Sequence, residues 1–110
     1  MGRVVNLAVV ESSERAIPQR FELSAAYPNP FNSSVCIEYG LPRLQQVSME
    51  IFNILGQRIW ESAAGRQPAG YHRVLWDGRD DAGREVGTGV YVVRVRAGND
   101  GRIQKLVPLK

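Results

Sequence analysis

The chain has one cysteine in 110 residues, one histidine and only two lysines. A single cysteine, Cys36, cannot close an internal disulfide, so stability has to come from a packed core. Cys36 lies in an alternating apolar run, where cysteine behaves as a small hydrophobe. His72 is the only histidine, so no Cys/His or His/Asp partner set is available for nucleophilic chemistry. No apolar run approaches the roughly 18 residues of a membrane helix, and no direct membrane insertion is expected. Residues 1–10 lack the features of a signal peptide: the apolar stretch is short, is interrupted by Asn6, and is followed by charges instead of small residues. An export signal, if one exists, is expected elsewhere in a longer parent. No helical periodicity of useful length occurs anywhere.

Acidic excess is also missing. The net charge is +3, and nearly all the cations are arginines scattered singly: Arg43, Arg58, Arg66, Arg73, Arg79, Arg84, Arg94, Arg96 and Arg102. Carboxylates are interspersed, and no aromatic sits between the arginines. This pattern fits a solvated sheet face better than a nucleic-acid surface, and no nucleic-acid partner is expected.

Short alternating segments make up most of the chain. Residues 4–10 are β-prone, and residues 11–20, polar and containing Pro18, read as a linker. Strands are expected at about 21–24, 33–41, 47–51, 58–62, 71–76, 90–97 and 102–109. Val35, Ile37, Tyr39 and Leu41 share one face of the second, with Cys36 and Glu38 on the other. His72, Val74 and Trp76 point one way in the fifth. Turns fall at Pro42, at Asn53–Gln57, over 65–70, through Asp77–Gly83 and at Gly98–Gly101. Tyr27-Pro28-Asn29-Pro30-Phe31-Asn32 loses two backbone donors to proline, so it is a rigid turn at a sheet edge, with Tyr27 and Phe31 expected in the core. Seven strands with turn signals about every 8–12 residues predict an all-β, seven-stranded antiparallel Ig-like β-sandwich. The expected organisation is an N-terminal strand-like segment and linker over 1–20, then one domain over 21–110.

Candidate chemistry is thin. Asp77, Asp80 and Asp81 offer carboxylates to a Ca²⁺ ion. They do not follow EF-hand spacing, and the expected role of Asp77 and Asp80 is to accept backbone N–H groups in tight turns. Trp60, Tyr71, Trp76 and Tyr91 could form a sugar platform, making carbohydrate binding an alternative function. For Trp76 and Tyr91 the core is the expected place. Glu38, Glu50, Glu61 and Glu85 fall on outward positions of separate strands, so no paired-carboxylate site is expected. The chain reads as a non-enzyme without cofactor or metal.

Five pieces in order resemble one family. They are Tyr27-Pro28-Asn29-Pro30-Phe31-Asn32; Ile51-Phe52-Asn53-Ile54-Leu55-Gly56-Gln57; Gly70-Tyr71-His72-Arg73-Val74-Leu75-Trp76-Asp77-Gly78; Gly89-Val90-Tyr91; and Lys105-Leu106-Val107-Pro108-Leu109-Lys110. Their order and spacing resemble the type A C-terminal sorting domain of the type IX secretion system of Bacteroidetes and related Gram-negative bacteria. The stretch from Trp76 to Tyr91, with Gly83 in its loop, is also similar to the Ig-like domain of the flagellar hook-cap protein. Proline at 108 departs from the family, which usually has an apolar strand residue there; it implies that the last strand is an edge at that point.

The resemblance implies a secretion signal. A larger cargo, N-terminal in the same polypeptide, would reach the periplasm and then cross the outer membrane through the type IX machinery. A sortase-like surface protease would remove the domain, leaving the parent on the cell surface or outside the cell. The motif residues Pro28, Asn29, Pro30, Phe31, Asn53, Gly56, Gly70, Trp76, Asp77, Gly78, Gly83, Gly89 and Tyr91 are expected to be mainly structural. Recognition is expected at Lys105, Leu106, Val107, Leu109 and Lys110 of the last strand, by strand addition to an exposed edge. Lysines there also protect an edge against aggregation. The processing cut is expected in or near residues 11–20, where an exposed polar linker invites proteolysis. A purely structural or assembly module is the third reading.

Overall fold

The computed structural model describes residues 16–109, so the β-prone segment 4–10, most of the linker and Lys110 lie outside the described residues. Seven antiparallel strands form two sheets of an Ig-like sandwich, as the turn spacing predicts. β1 (Glu22–Leu23), β2 (Val35–Leu41) and β5 (Gly70–Trp76) make the small sheet, in the order β1-β2-β5. The large sheet has the order β4-β3-β6-β7, from β3 (Gln45–Phe52), β4 (Arg58–Gln67), β6 (Tyr91–Ala97) and β7 (Asp100–Leu106).

Period-two alternation sets the two inner faces. Val35, Ile37, Tyr39, Leu41 and Trp76 of the small sheet are buried against Val47, Met49, Ile51, Val93, Val95, Ala97 and Leu106 of the large one. His72 stacks on Tyr39, with ring centroids 5.4 Å apart. On the outer face of the large sheet, Arg94 donates to Glu50 at 2.6 Å and lies over the Phe52 ring, while Arg58 reaches both Glu50 and Glu61. Arg58 and Arg94 on this face are thus partnered by carboxylates.

Four expectations need correction. Tyr27 is 47% exposed, because it pairs with Cys36 and Cys36 faces away from the core. Residues 65–67 are strand, not loop: Gly65 pairs with Val47 at φ 79°, and Ala64 is left over in a β-bulge. A glycine inside a strand marks a bulge as readily as a turn. Asp100 and Gly101, read as turn, already pair with Ala97 and Arg96, so the turn is only Gly98-Asn99. Pro18, read as linker, is buried over Gly40, where an added Cβ would meet the Pro18 ring at 2.6 Å.

The strand directions create two poles. β2, β4 and β6 start, and β3, β5 and β7 end, at the same pole, as the pairings Val35↔Trp76, Phe52↔Arg58, Phe52↔Val92 and Tyr91↔Leu106 show. The candidate site lies there.

Candidate functional site: one pole that gathers the motif and the C-terminal segment

Asn29 is the hinge pin of this pole. Its side-chain amide works like a piece of strand against the main chain that follows β7. Nδ2 donates to the Lys105 carbonyl at 2.8 Å, and Oδ1 accepts from the Val107 N–H at 2.9 Å. Two residues on, the Phe31 N–H donates to the Val107 carbonyl at 3.0 Å, and the Leu109 N–H donates to the Phe31 carbonyl at 2.8 Å. Phe31 and Pro108 thus form a parallel bridge. In that geometry Phe31 uses polar groups of the residues flanking 108, so no N–H is required of Pro108. This is the physical reason the proline is accommodated. The turn itself carries cis bonds at Tyr27–Pro28 and Asn29–Pro30.

Under the clasp lies an aromatic cluster centred on Trp76, which is 1% exposed. Phe31, Trp60 and Tyr91 surround it at centroid distances of 5.9, 6.4 and 6.3 Å, at interplanar angles of 59°, 49° and 63°. These are tilted and edge-on packings rather than coplanar platforms. The Trp76 indole donates to the Arg79 carbonyl at 2.9 Å, and the Tyr91 hydroxyl to the Gly87 carbonyl at 3.0 Å. Tyr71, the remaining candidate for a sugar platform, packs across Gly40 on the outer face of the small sheet, away from the Trp76 cluster. Gly78 is buried beside the Phe31 ring at φ 75°, a backbone conformation that favours glycine.

The acidic loop is turn structure. Asp77 accepts from the Arg79 N–H, and Asp80 accepts from Ala82 and Arg84 at 3.0 and 2.9 Å. Asp81 bonds across the edge of β4: its N–H donates to Ile59 at 3.0 Å and its carboxylate accepts from Glu61 at 3.4 Å. These carboxylates are committed to main-chain donors. Among the described residues, no three His, Cys, Asp or Glu side chains group as metal ligands. Asn53 caps the β3–β4 turn in the same way, accepting from Leu55 and Gln57 at 2.9 and 3.0 Å. That turn holds Gly56 and lifts Ile54 and Leu55 into solvent. Gly83 and Gly89 lie in the connection before β6; Gly70 starts β5 and is the one motif residue at the opposite pole.

Of the expected recognition residues, Lys105 is exposed, Leu106 is fully buried, Val107 is half-buried and Leu109 is 41% exposed. The main chain from Lys105 to Leu109 is not an open edge, since Asn29 and Phe31 cover it. A cleft of about 480 Å³ opens beside Pro108, walled also by Asn32, Ser33, Asp77, Arg79 and Glu85. Arg79 donates to the Gly83 carbonyl at 3.0 Å and faces Glu85 at 3.7 Å and Asp77 at 3.9 Å.

Two carboxyls are shifted. Glu50 is held below the usual range chiefly by the Arg94 hydrogen bonds, with Arg58 adding to them against partial desolvation. Asp80 is lowered chiefly by the Arg84 backbone N–H. A lowered folded-state pKa stabilises above the unfolded value, near pH 4, and that contribution is lost as pH falls through the folded value. Glu50→Gln is therefore expected to melt below wild type at pH 7 and to converge with it as the pH falls through the lowered folded-state value. Thermal melts of both proteins across pH check this; a constant difference at every pH contradicts it.

Fold and site together define an Ig-like β-sandwich whose motif residues lock one pole. The chain belongs to the FlgD Ig-like domain family, whose model matches residues 33–101. Solved structures agree in backbone. Dimeric latent PorU from Porphyromonas gingivalis superimposes with TM-score 0.62 and 16% identity, over 86% of this chain and 10% of PorU. PorZ, described as an essential surface component of the type IX secretion system of Porphyromonas gingivalis, gives 0.56 and 21%, over 82% of this chain and 11% of PorZ. FlgD from Xanthomonas campestris, described for hook capping in flagellar assembly, gives 0.56 and 21%, over 89% of this chain and 73% of FlgD. At these identities the likeness is one of fold. No curated protein matches the chain in sequence.

Proposed function

We propose that this domain is a non-catalytic C-terminal sorting module that directs a larger cargo across the outer membrane through the type IX machinery. The cargo is N-terminal in the same polypeptide. The module is removed by a surface protease in or near residues 11–20, and the parent ends on the cell surface or outside the cell. One observation carries this reading: the Pro-Asn-Pro-Phe turn grips the main chain of Lys105 to Leu109 through Asn29 and Phe31. Pieces that resemble a sorting domain in sequence therefore act as one unit, which fixes how the terminal segment is displayed. PorZ, of similar fold, is described as belonging to that secretion system.

The clasp supports a division of roles within the segment. Leu106 and the main chain anchor it, while Lys105, Leu109 and Lys110 are read by the machinery. The test is a fluorescent passenger fused to the domain in a bacterium with a working type IX system. Removing residues 102–110 is expected to abolish export, but it also removes β7. Lys105→Glu with Leu109→Asp keeps the fold and is expected to cut the exported fraction to a minor part. Normal export by this folded double variant overturns the assignment of the signal to those residues.

A further inference from the structure

Four strands lie at sheet edges: β1 and β5 in the small sheet, β4 and β7 in the large one. Edges are normally blocked, because an open one templates pairing with another chain. β1 is only two residues long. β4 has two register breaks, and Asp81 bonds across its edge. β7 is held at its end by Asn29, and Arg102 lies over the Phe21 ring at 5.4 Å. β5 carries a single charge, Arg73, and none of these other devices. It runs seven residues in unbroken register with β2 and contains neither proline nor lysine. Among the described residues, no strand pairs with its outer side.

The register tells which polar groups that edge presents. Cys36 exchanges both its main-chain hydrogen bonds with Tyr27, at 2.7 and 3.1 Å, and the Glu38 carbonyl accepts from Ser24 at 2.9 Å. Those partners lie on the side of β2 away from β5. Alternation then turns the polar groups of Ile37 and Tyr39 toward β5, onto Val74 and His72. Arg73 and Leu75 therefore direct their N–H and C=O outward. Their side chains project from the outer face of the sheet, 65% exposed for the Arg73 side chain and 70% exposed for Leu75. Arg73 has a carboxylate, Glu38, only at 3.8 Å.

We propose that the outer edge of β5 is a docking site for an extended acidic segment of another protein. The segment adds as a further strand of the small sheet, with a carboxylate against Arg73 and an apolar side chain beside Leu75. Charge decides the occupant. A full seven-residue pairing of β5 with a second copy of itself sets the two Arg73 side chains opposite one another at the centre, and like charges directly opposite destabilise a strand pair. An acid at that position, with apolar residues two places on either side, reverses the sign. This site stands whether or not the domain is a sorting module.

The probe is an end-capped peptide, Thr-Val-Thr-Glu-Thr-Val-Thr, titrated into the full chain and followed by amide NMR shifts and hydrogen exchange. The Arg73 and Leu75 amides are expected to exchange quickly in the free chain, to shift on titration, and to slow once the peptide is bound. Arg73→Glu should weaken binding by about fivefold, and a peptide with Lys in place of Glu should recover it. Leu75→Pro costs no hydrogen bond to β2, and edge strands accept proline, so it should fold; it removes both the outward N–H and the Leu75 side chain and should lose binding. Equal binding of the Glu and Lys peptides overturns the proposal, as does wild-type binding by folded Leu75→Pro. Slow exchange at Arg73 and Leu75 in the free chain also overturns it, because the edge is then already taken by residues 1–15 or by a second copy.

Discussion

Trp76→Ala is expected to destabilise the domain by about 3–5 kcal/mol, the usual cost of deleting a buried large aromatic. The residue is 1% exposed and touches three other rings, two from the large sheet and one from the Pro-Asn-Pro-Phe turn. Its indole N–H also satisfies the Arg79 carbonyl, which the variant leaves without that donor. A domain of this size has a total stability on the order of 5–15 kcal/mol. A loss of this size lowers the melting temperature by about 20 °C. Trp76→Phe retains most of the ring packing and should lose far less. Calorimetry on the two variants checks the order; equal losses would place the effect in the hydrogen bond instead of the cluster.

Asn29→Ala is expected to cost about 1–3 kcal/mol, because it strands the Lys105 carbonyl and the Val107 N–H together. The loss should be local. Exchange at the Val107 amide should accelerate, while β2, β3 and β6 keep their protection. Asn29→Asp is the sharper variant. It keeps an oxygen for the Val107 N–H but places a second acceptor against the Lys105 carbonyl. Its stability at neutral pH should fall at least as far as that of Asn29→Ala. If Asn29→Asp is as stable as wild type, the bond from Asn29 to the Lys105 carbonyl contributes nothing and the clasp is wrongly described.

Much of the fold was legible because alternation is strict where one face is buried. Val35, Ile37, Tyr39 and Leu41 declare their face without ambiguity, and so do Val93 and Val95. Tyr27 misled for a related reason: its ring is apolar enough for the core, but its place is set by pairing with outward-facing Cys36. Gly65 carried two meanings, turn and bulge, and only its partner Val47 distinguishes them. Pro18 gave no local sign of burial, since its contact is with Gly40, far along the chain.

For the site, the residues were legible and their assembly was missed. The sequence predicts an open edge for the final strand, whereas its end is bonded to Asn29 and Phe31. A signal was present in the strand count. Antiparallel strands alternate direction, so every second connection falls at one pole. Pro28–Asn32 precedes β2, Asn53–Gln57 links β3 to β4, Asp77–Val90 links β5 to β6, and Val107–Leu109 follows β7. That parity places four of the motif pieces together before any coordinate is seen. The hydrogen bonds of one asparagine side chain to main chain more than 70 residues away have no such signal, because they depend on how the turn is aimed.

Amide hydrogen exchange at Phe31, Val107 and Leu109 tests the clasp most directly. All three N–H groups are expected to be protected well above the loop amide of Gly87, with Val107 alone losing protection first in Asn29→Ala. Exchange of Phe31, Val107 and Leu109 at loop rates in the wild-type chain would contradict it.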